Sequence, residues 1–165
     1  YRIKPLFSIF HKDAWNLLST VTKPKMIKIA SRTFKNDLEF VKDLSRIVEQ
    51  IIVSTGMSDK KNIDFSMFEN CHWLWCESIY PLLPFQIKNF PSIFNNKTFT
   101  GLSDHSQGLE LSLLAISRGA KIIERHFTLD KSDQTIRDHA LSSSPDEFAK
   151  LVEYGNSIND LIEIL

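Results

Sequence analysis

No surplus of charge of either sign marks this sequence. Twenty Lys and Arg balance twenty Asp and Glu, and the two signs are interspersed. No basic face therefore announces nucleic acid, and no polybasic run announces an anionic membrane surface. No apolar run approaches the roughly 20 residues that cross a bilayer, and none reads as a secretory signal. No glycine-rich dinucleotide fingerprint follows the first strand-like run. Cysteine is scarce: Cys71 and Cys76 bracket "CHWLWC". On a strand these two have opposite parity and point to opposite faces, which excludes a disulfide between them. One pair at this spacing is a poor zinc signal. Both are read as reduced, buried thiols of a cytoplasmic protein.

What is present is a chain of one-domain size, 165 residues, 42% hydrophobic and 24% charged, enough to bury a core. Short apolar runs alternate with longer patterns. Strands are expected over 5–10, 26–31, 51–56, 71–77, 98–104 and 121–127. Helices are expected over 13–21 with Asp13 as N-cap, 36–50 capped by Asn36 or Asp37, 108–119 closed by Gly119, and 145–165 opened by Pro145 and kinked near Gly155. "NIDFSMFEN" reads as a weak helix and "FQIKNFPSIF" as an irregular one.

Six strand–helix units in a row, with strands apolar on both faces, mean an α/β chain with a parallel sheet. An open doubly wound sheet and a (β/α)8 barrel both fit that alternation, and the missing fingerprint weakens the former. A complete barrel has eight units in about 250 residues. The expectation is a TIM barrel, incomplete, with about six of eight units. The chain starts at Tyr1 and enters an apolar run directly, which reads as part of a longer protein.

In either layout function gathers where strands end. Those ends, "KIASR", "VSTGM", "CESIYP", "GLSDHS" and "ERHFTLD", are polar immediately after apolar strands. One Ser or Asp there could be a helix cap, but a polar group at every end suggests a site. His105 and His126 follow two successive strands. Neighbouring parallel strands lie about 4.8 Å apart, so both imidazoles can share one divalent ion and leave positions open for water and substrate oxygens. The alternative is two histidines satisfied by hydrogen bonds. Glu124 has the parity of His126 and is a candidate ion neighbour or proton carrier, or else the partner of a lysine in a buried ion pair. Asp104 reads as a cap more readily than as a ligand. Lys28, Ser31, Ser54, Thr55 and Ser103 stand at or near three strand ends. A lysine inside an apolar strand is costly unless an anion pairs with it, and hydroxyls before helix N-termini suit phosphate. Lys28 could instead form a Schiff base, as in a phosphate-binding aldolase, or snorkel to the rim.

These motifs occur in an order that resembles the sialic acid synthase family, the N-acetylneuraminate synthases. "KIAS", "VSTGM", "CESIYP", "GLSDHS.G.E.SL.A...GA..IERHFTLD" and "DHALS..PDEF" carry the likeness across nearly the whole chain. It implies a metal-dependent condensation of phosphoenolpyruvate with an N-acyl amino sugar, such as N-acetylmannosamine, to a nine-carbon sugar acid with release of phosphate. It implies that His105 and His126 hold the ion, Mn2+ foremost and Mg2+ or Co2+ otherwise. It implies Lys28, Ser31, Ser54 and Ser103 as phosphoenolpyruvate contacts and Tyr80 and Asp138 as sugar contacts; Glu124 and Lys28 stay the candidate catalytic residues by their place on the strands. It further implies a homodimeric parent whose barrel begins two strands earlier and which often carries a C-terminal antifreeze-like domain, so that residues 1–165 are expected to be a partial catalytic domain. A truncated, non-catalytic remnant that binds ligand or a complementing chain is the alternative. Four departures stand out. Ser78 replaces a usual asparagine ligand, Ile9 a common threonine and Arg125 a more frequent lysine, a change expected to be mild; the usual glycine before Asp138 is absent.

Overall fold

The computed structural model describes residues 3–132 and 138–165. They divide into two compact units after Leu74. In the first, β1 (Phe7–Ile9) leads to α1 (Lys12–Val21), β2 (Met26–Ile29), α2 (Ser31–Asn36), α3 (Leu38–Ile47), β3 (Gln50–Ser54) and the opening residues of β4 (Cys71–Cys76). Every pairing here is parallel, and the strand order is the chain order. The reversal that defines a doubly wound sheet is absent from this unit. The registers align Ile9 with Ile29, Ile29 with Val53 and Val53 with Trp73. All four are buried, so the β-branched runs that made these segments strands also build one continuous apolar row. Phe34 of α2 meets the Trp73 ring edge-on at 5.3 Å, and Val41 and Leu44 of α3 are buried.

Two local expectations change, and one helix is added. The helix expected over 36–50 is α3, and its cap is the expected Asp37, which leaves helical geometry (φ −141°, ψ 64°) and whose carboxylate accepts from Phe40 N at 3.2 Å; the short α2 before it is the added helix. The N-cap of α1 is His11 rather than Asp13; its Nδ1 accepts from Ala14 N at 3.3 Å. No helix forms in "NIDFSMFEN". There the Asp64 carboxylate accepts from Ser66 N at 2.9 Å and Ser66 Oγ at 2.6 Å, a local alternative to helical hydrogen bonds.

The second unit contains β5 (Phe99–Asp104), α4 (Glu110–Ser117), β6 (Ile122–Arg125) and α5 (Pro145–Ile164). Gly119 closes α4 at φ +94°, as the C′ role requires. Ser144 and Glu147 form a capping box ahead of Pro145. α5 is assigned without a break across Gly155; that glycine instead admits α4, since a Cβ there would meet Ile116 Cδ1 at 3.0 Å. The segment expected as an irregular helix keeps only a 3-10 turn, Pro84–Gln86. Prolines at 81, 84 and 91 and a left-handed Asn89 (φ 54°) preclude more. No helix among the described residues is long and apolar enough to cross a membrane.

β5 and β6 pair in parallel, with Gly101 opposite Ile122. A Cβ on Gly101 would lie 2.1 Å from the Ile122 carbonyl oxygen, so only glycine lets these backbones close. Gly101→Ala is expected to cost about 1–3 kcal/mol, the usual range for overpacking, and to lower the urea midpoint accordingly. An unchanged midpoint would refute the close approach.

Candidate functional site

β5 and β6 end in step. Ser103 lies opposite Glu124 and Asp104 opposite Arg125. Strand alternation puts Ser103 and Glu124 on one face and Asp104 and Arg125 on the other. The next residue on each strand, His105 and His126, returns to the face of Ser103 and Glu124. A cavity of ≈ 90 Å³ is lined by Ser103, His105, Glu124, Arg125 and His126. The two imidazole centroids are 5.4 Å apart, with the rings inclined at 54°. Both histidine backbones are held just past their strands: His105 O accepts from Leu82 N at 2.9 Å and His126 O from Ser143 N at 2.8 Å.

The protonation of His105 follows from one contact. Its Nδ1 lies 2.8 Å from the Glu77 carbonyl oxygen. A carbonyl only accepts, so Nδ1 carries the proton and Nε2 keeps its lone pair. Burial holds the His105 pKa below the ordinary 6.5; the Glu77 hydrogen bond opposes that shift, and the neighbouring His126 adds to it. A neutral imidazole with Nδ1–H tied to a carbonyl and Nε2 unprotonated is the usual posture of a metal-binding histidine. Among the described residues no set of three His, Cys, Asp or Glu donors converges. The donor set is thus two imidazoles, and an ion held by His105 and His126 would need water or substrate oxygens for its other positions.

Tyr80 packs beside this pair. Its ring lies 4.1 Å from His105 and meets His126 edge-on at 5.9 Å. Asp138 approaches from the far side, its Oδ2 3.8 Å from His126 Nδ1, beyond hydrogen-bond range. Ser78 is half-buried between Glu77 and Tyr80 in sequence. The structure thus brings Tyr80, Ser103, His105, Glu124, His126 and Asp138 to the strand ends of one unit. The residues just before Asp138, where the missing glycine was noted, lie outside the described ones.

In the first unit Lys28, half-buried, sits one residue before the end of β2, opposite Ile52. Ser31 opens α2, and its Oγ accepts from Gly56 N at 2.9 Å, which ties the turn after β3 to the end of β2. Ser54 ends β3, buried. Lys28, Ser31 and Ser54 therefore share one end of their own parallel sheet. Cys71 and Cys76 are free thiols, and burial pushes the Cys71 thiol far above its ordinary value.

Sequence reasoning took Arg125 only as a mild replacement and missed its role. Arg125 forms a buried ion pair at the end of β6. Its guanidinium is 2% exposed and bonds the carboxylate of Asp104, which is 0% exposed. Asp104 accordingly does more than cap: it accepts from Ser106 N at 2.8 Å, Ser106 Oγ at 2.6 Å and Ser112 Oγ at 2.5 Å. The available signal was two opposite charges, each immediately preceding one of the two histidines.

The sequence model of the NeuB family, described as such, matches residues 1–163. The N,N'-diacetyllegionaminic acid synthase of Campylobacter jejuni is 34% identical over 140 residues, 77% of this chain and 41% of that protein. The N-acetylneuraminate-9-phosphate synthase of Drosophila melanogaster is 33% identical over 156 residues, 87% of this chain and 41% of that protein. The crystal structure of a sialic acid synthetase from Leptospira borgpetersenii, in complex with citrate, superposes with a TM-score of 0.82 at 32% identity, covering 94% of this chain and 56% of that one. That likeness shows the fold, α/β, as an incomplete (β/α)8 barrel with six of its eight strands. The chain spans about four-tenths of the length of the curated relatives it matches.

The depressed pKa of His105 has a consequence for stability. As pH falls, the unfolded chain takes up this proton first, so the stability present above about pH 6.5 declines as pH drops through that value toward the lower folded one. The urea midpoint is expected to fall between neutral pH and about pH 5, and His105→Gln to lose that component. A variant with the same pH slope as the wild type would contradict a buried neutral His105.

Proposed function

The chain belongs to the NeuB family, and from that premise we propose that it forms part of a synthase that condenses phosphoenolpyruvate with an N-acyl amino sugar and releases inorganic phosphate. The observation that carries the reading is the facing pair His105 and His126, with rings 5.4 Å apart and the His105 tautomer fixed by Glu77. Named relatives that make legionaminic, pseudaminic and N-acetylneuraminic 9-phosphate products support it. His105 and His126 would hold a divalent ion, Mn2+ foremost. When bound, that ion polarises the aldehyde of the open-chain sugar.

The chain's own residues do the rest. Tyr80 and Asp138 orient the sugar beside the imidazoles, with Ser78 in place of a longer amide. Ser103 donates to phosphoenolpyruvate; in the first unit Lys28, Ser31 and Ser54 supply ammonium and hydroxyl donors of the kind that offset anionic charge. Glu124, on the face of His126, carries the proton that the new hydroxyl gains or the attacking water loses. In bonds, the enol carbon attacks the aldehyde, water adds to the cation left at the next carbon, and the tetrahedral species expels phosphate. Holding both substrates in one orientation supplies much of the acceleration.

The decisive assay is phosphate release by the intact protein carrying this sequence, across a panel of amino sugars that includes N-acetylmannosamine, its 6-phosphate and bacillosamine-derived sugars, with and without Mn2+. Release is expected with one acceptor class and is expected to stop on chelation. His105→Ala or His126→Ala should lower the rate roughly 100-fold or more, the loss of several kcal/mol of charge stabilisation, with unchanged circular dichroism. Wild-type rates from either variant in metal-free buffer would end the proposal.

A further inference from the structure

The residue pair behind the histidines has no part in the chemistry just described, yet the site is built on it. Arg125 is the last residue of β6 and Asp104 the last of β5, directly opposite each other. Both side chains are buried and joined. The Arg125 guanidinium has further partners on three segments: Nη1 reaches Ser112 Oγ of α4 at 3.4 Å, Nη2 donates to the Ser106 carbonyl at 3.1 Å, and Nε donates to Ser143 Oγ at 2.9 Å. Each partner adjoins the site. Ser106 follows His105. Ser143 donates its backbone N–H to the His126 carbonyl and accepts from Thr128 N at 3.1 Å. Ser142, next to it, donates its N–H to the Asp138 carbonyl at 3.1 Å and its Oγ to the same atom at 2.7 Å. One planar cation therefore fixes the segments that carry His105, His126 and Asp138.

We infer that Arg125, acting with Asp104, is a positioning residue that sets the spacing of the two imidazoles and the approach of Asp138. A guanidinium offers a rigid fork of five N–H donors, whereas a lysine ammonium is a point charge on a flexible stem. A lysine at 125 can keep the bond to Asp104 but cannot hold Ser106 and Ser143 as well. The arginine in this chain is thus a more extensive brace than the more frequent lysine. The inference deepens the proposed function and rests on its placing of His105 and His126 in the site.

Its test uses the intact protein, with Mn2+ as probe and with 15N-histidine spectra recorded without metal. Arg125→Met alone leaves a buried carboxylate unpaired and can unfold the protein. The informative variant is therefore Asp104→Asn/Arg125→Met, which removes both charges together. The double variant is expected to fold, to bind Mn2+ about 10–100-fold more weakly, the range for partners that orient metal ligands, and to lose the single Nδ1–H tautomer at His105. Arg125→Lys, which keeps the bond to Asp104, should keep the protein folded but shift the His105 and His126 resonances and recover only part of the affinity. A folded double variant with wild-type Mn2+ affinity and unmoved histidine resonances would overturn the inference. A wild-type protein that takes up no Mn2+ overturns the metal reading instead, and the histidine spectra then decide the positioning role by themselves. If the double variant does not fold, the Arg125→Lys spectra decide it: resonances for His105 and His126 identical to wild type would show that the added bonds to Ser106 and Ser143 position nothing.

Discussion

A carboxylate and a guanidinium buried together at the ends of β5 and β6 govern the second unit. Removing either charge from water is expensive, and the cost is met only when every donor and acceptor finds a partner. Here they do. Asp104 accepts from Ser106, Ser112 and Arg125, and Arg125 donates to Asp104, Ser106, Ser112 and Ser143. Such a network tolerates little movement, because a slip of one residue would strand a charge in the core. It therefore fixes the register of β5 on β6, which Gly101 makes possible by letting the strands close. Two strands in fixed register carry the following residue of each to fixed places, and those residues are His105 and His126.

The same constraint explains how two imidazoles can be kept close. Both protonated, they would repel in a medium where charges are poorly screened. Burial disfavours the charged form of His105, and the Glu77 carbonyl claims its one proton on Nδ1. Tyr80 packs against the His105 ring at 4.1 Å. The result is an unprotonated Nε2 in a pocket that also holds the Glu124 carboxylate. Such a site is complementary to a cation and unfavourable to a second anion.

How much of this could be read from the amino-acid order differs by element. The strands were legible because Ile, Val and Trp runs end abruptly in Ser, Asp or Thr, and because burial on both faces writes itself as an unbroken apolar run. Their boundaries came out one to two residues too long, since the polar end residues belong to the site. The cap at Asp37 was legible as a polar residue ahead of an apolar period, but α2 was not: Phe34 is the one large apolar residue in "SRTFKN", too little for a helical period to show. The segments 62–70 and 85–94 differ from expectation because tertiary partners, Trp73 with Phe65 and Phe68, and Arg118 with the Pro91 carbonyl, hold them without regular structure. The role of Arg125 was hidden for a geometric reason: parity with His126 marks the residues that face the site, and the residue that orients it from behind has the opposite parity.

That division of faces also separates what is rigid from what can vary. His105 and His126 hang from strand ends whose carbonyls are each bonded to a neighbouring segment at 2.8–2.9 Å. Tyr80 and Asp138 sit on connections between elements, and Asp138 reaches His126 only at 3.8 Å, an electrostatic distance rather than a hydrogen bond. The Asp138 backbone is tied less directly to the network behind the sheet, through Ser142, the neighbour of Ser143. The imidazoles are held more closely: Leu82 and Ser143 bond their carbonyls, and the Glu77 carbonyl fixes the tautomer of His105. A change at position 104 or 125 therefore acts on whether the two rings still face each other, whereas a change at Ser78 leaves the bonds behind the sheet in place.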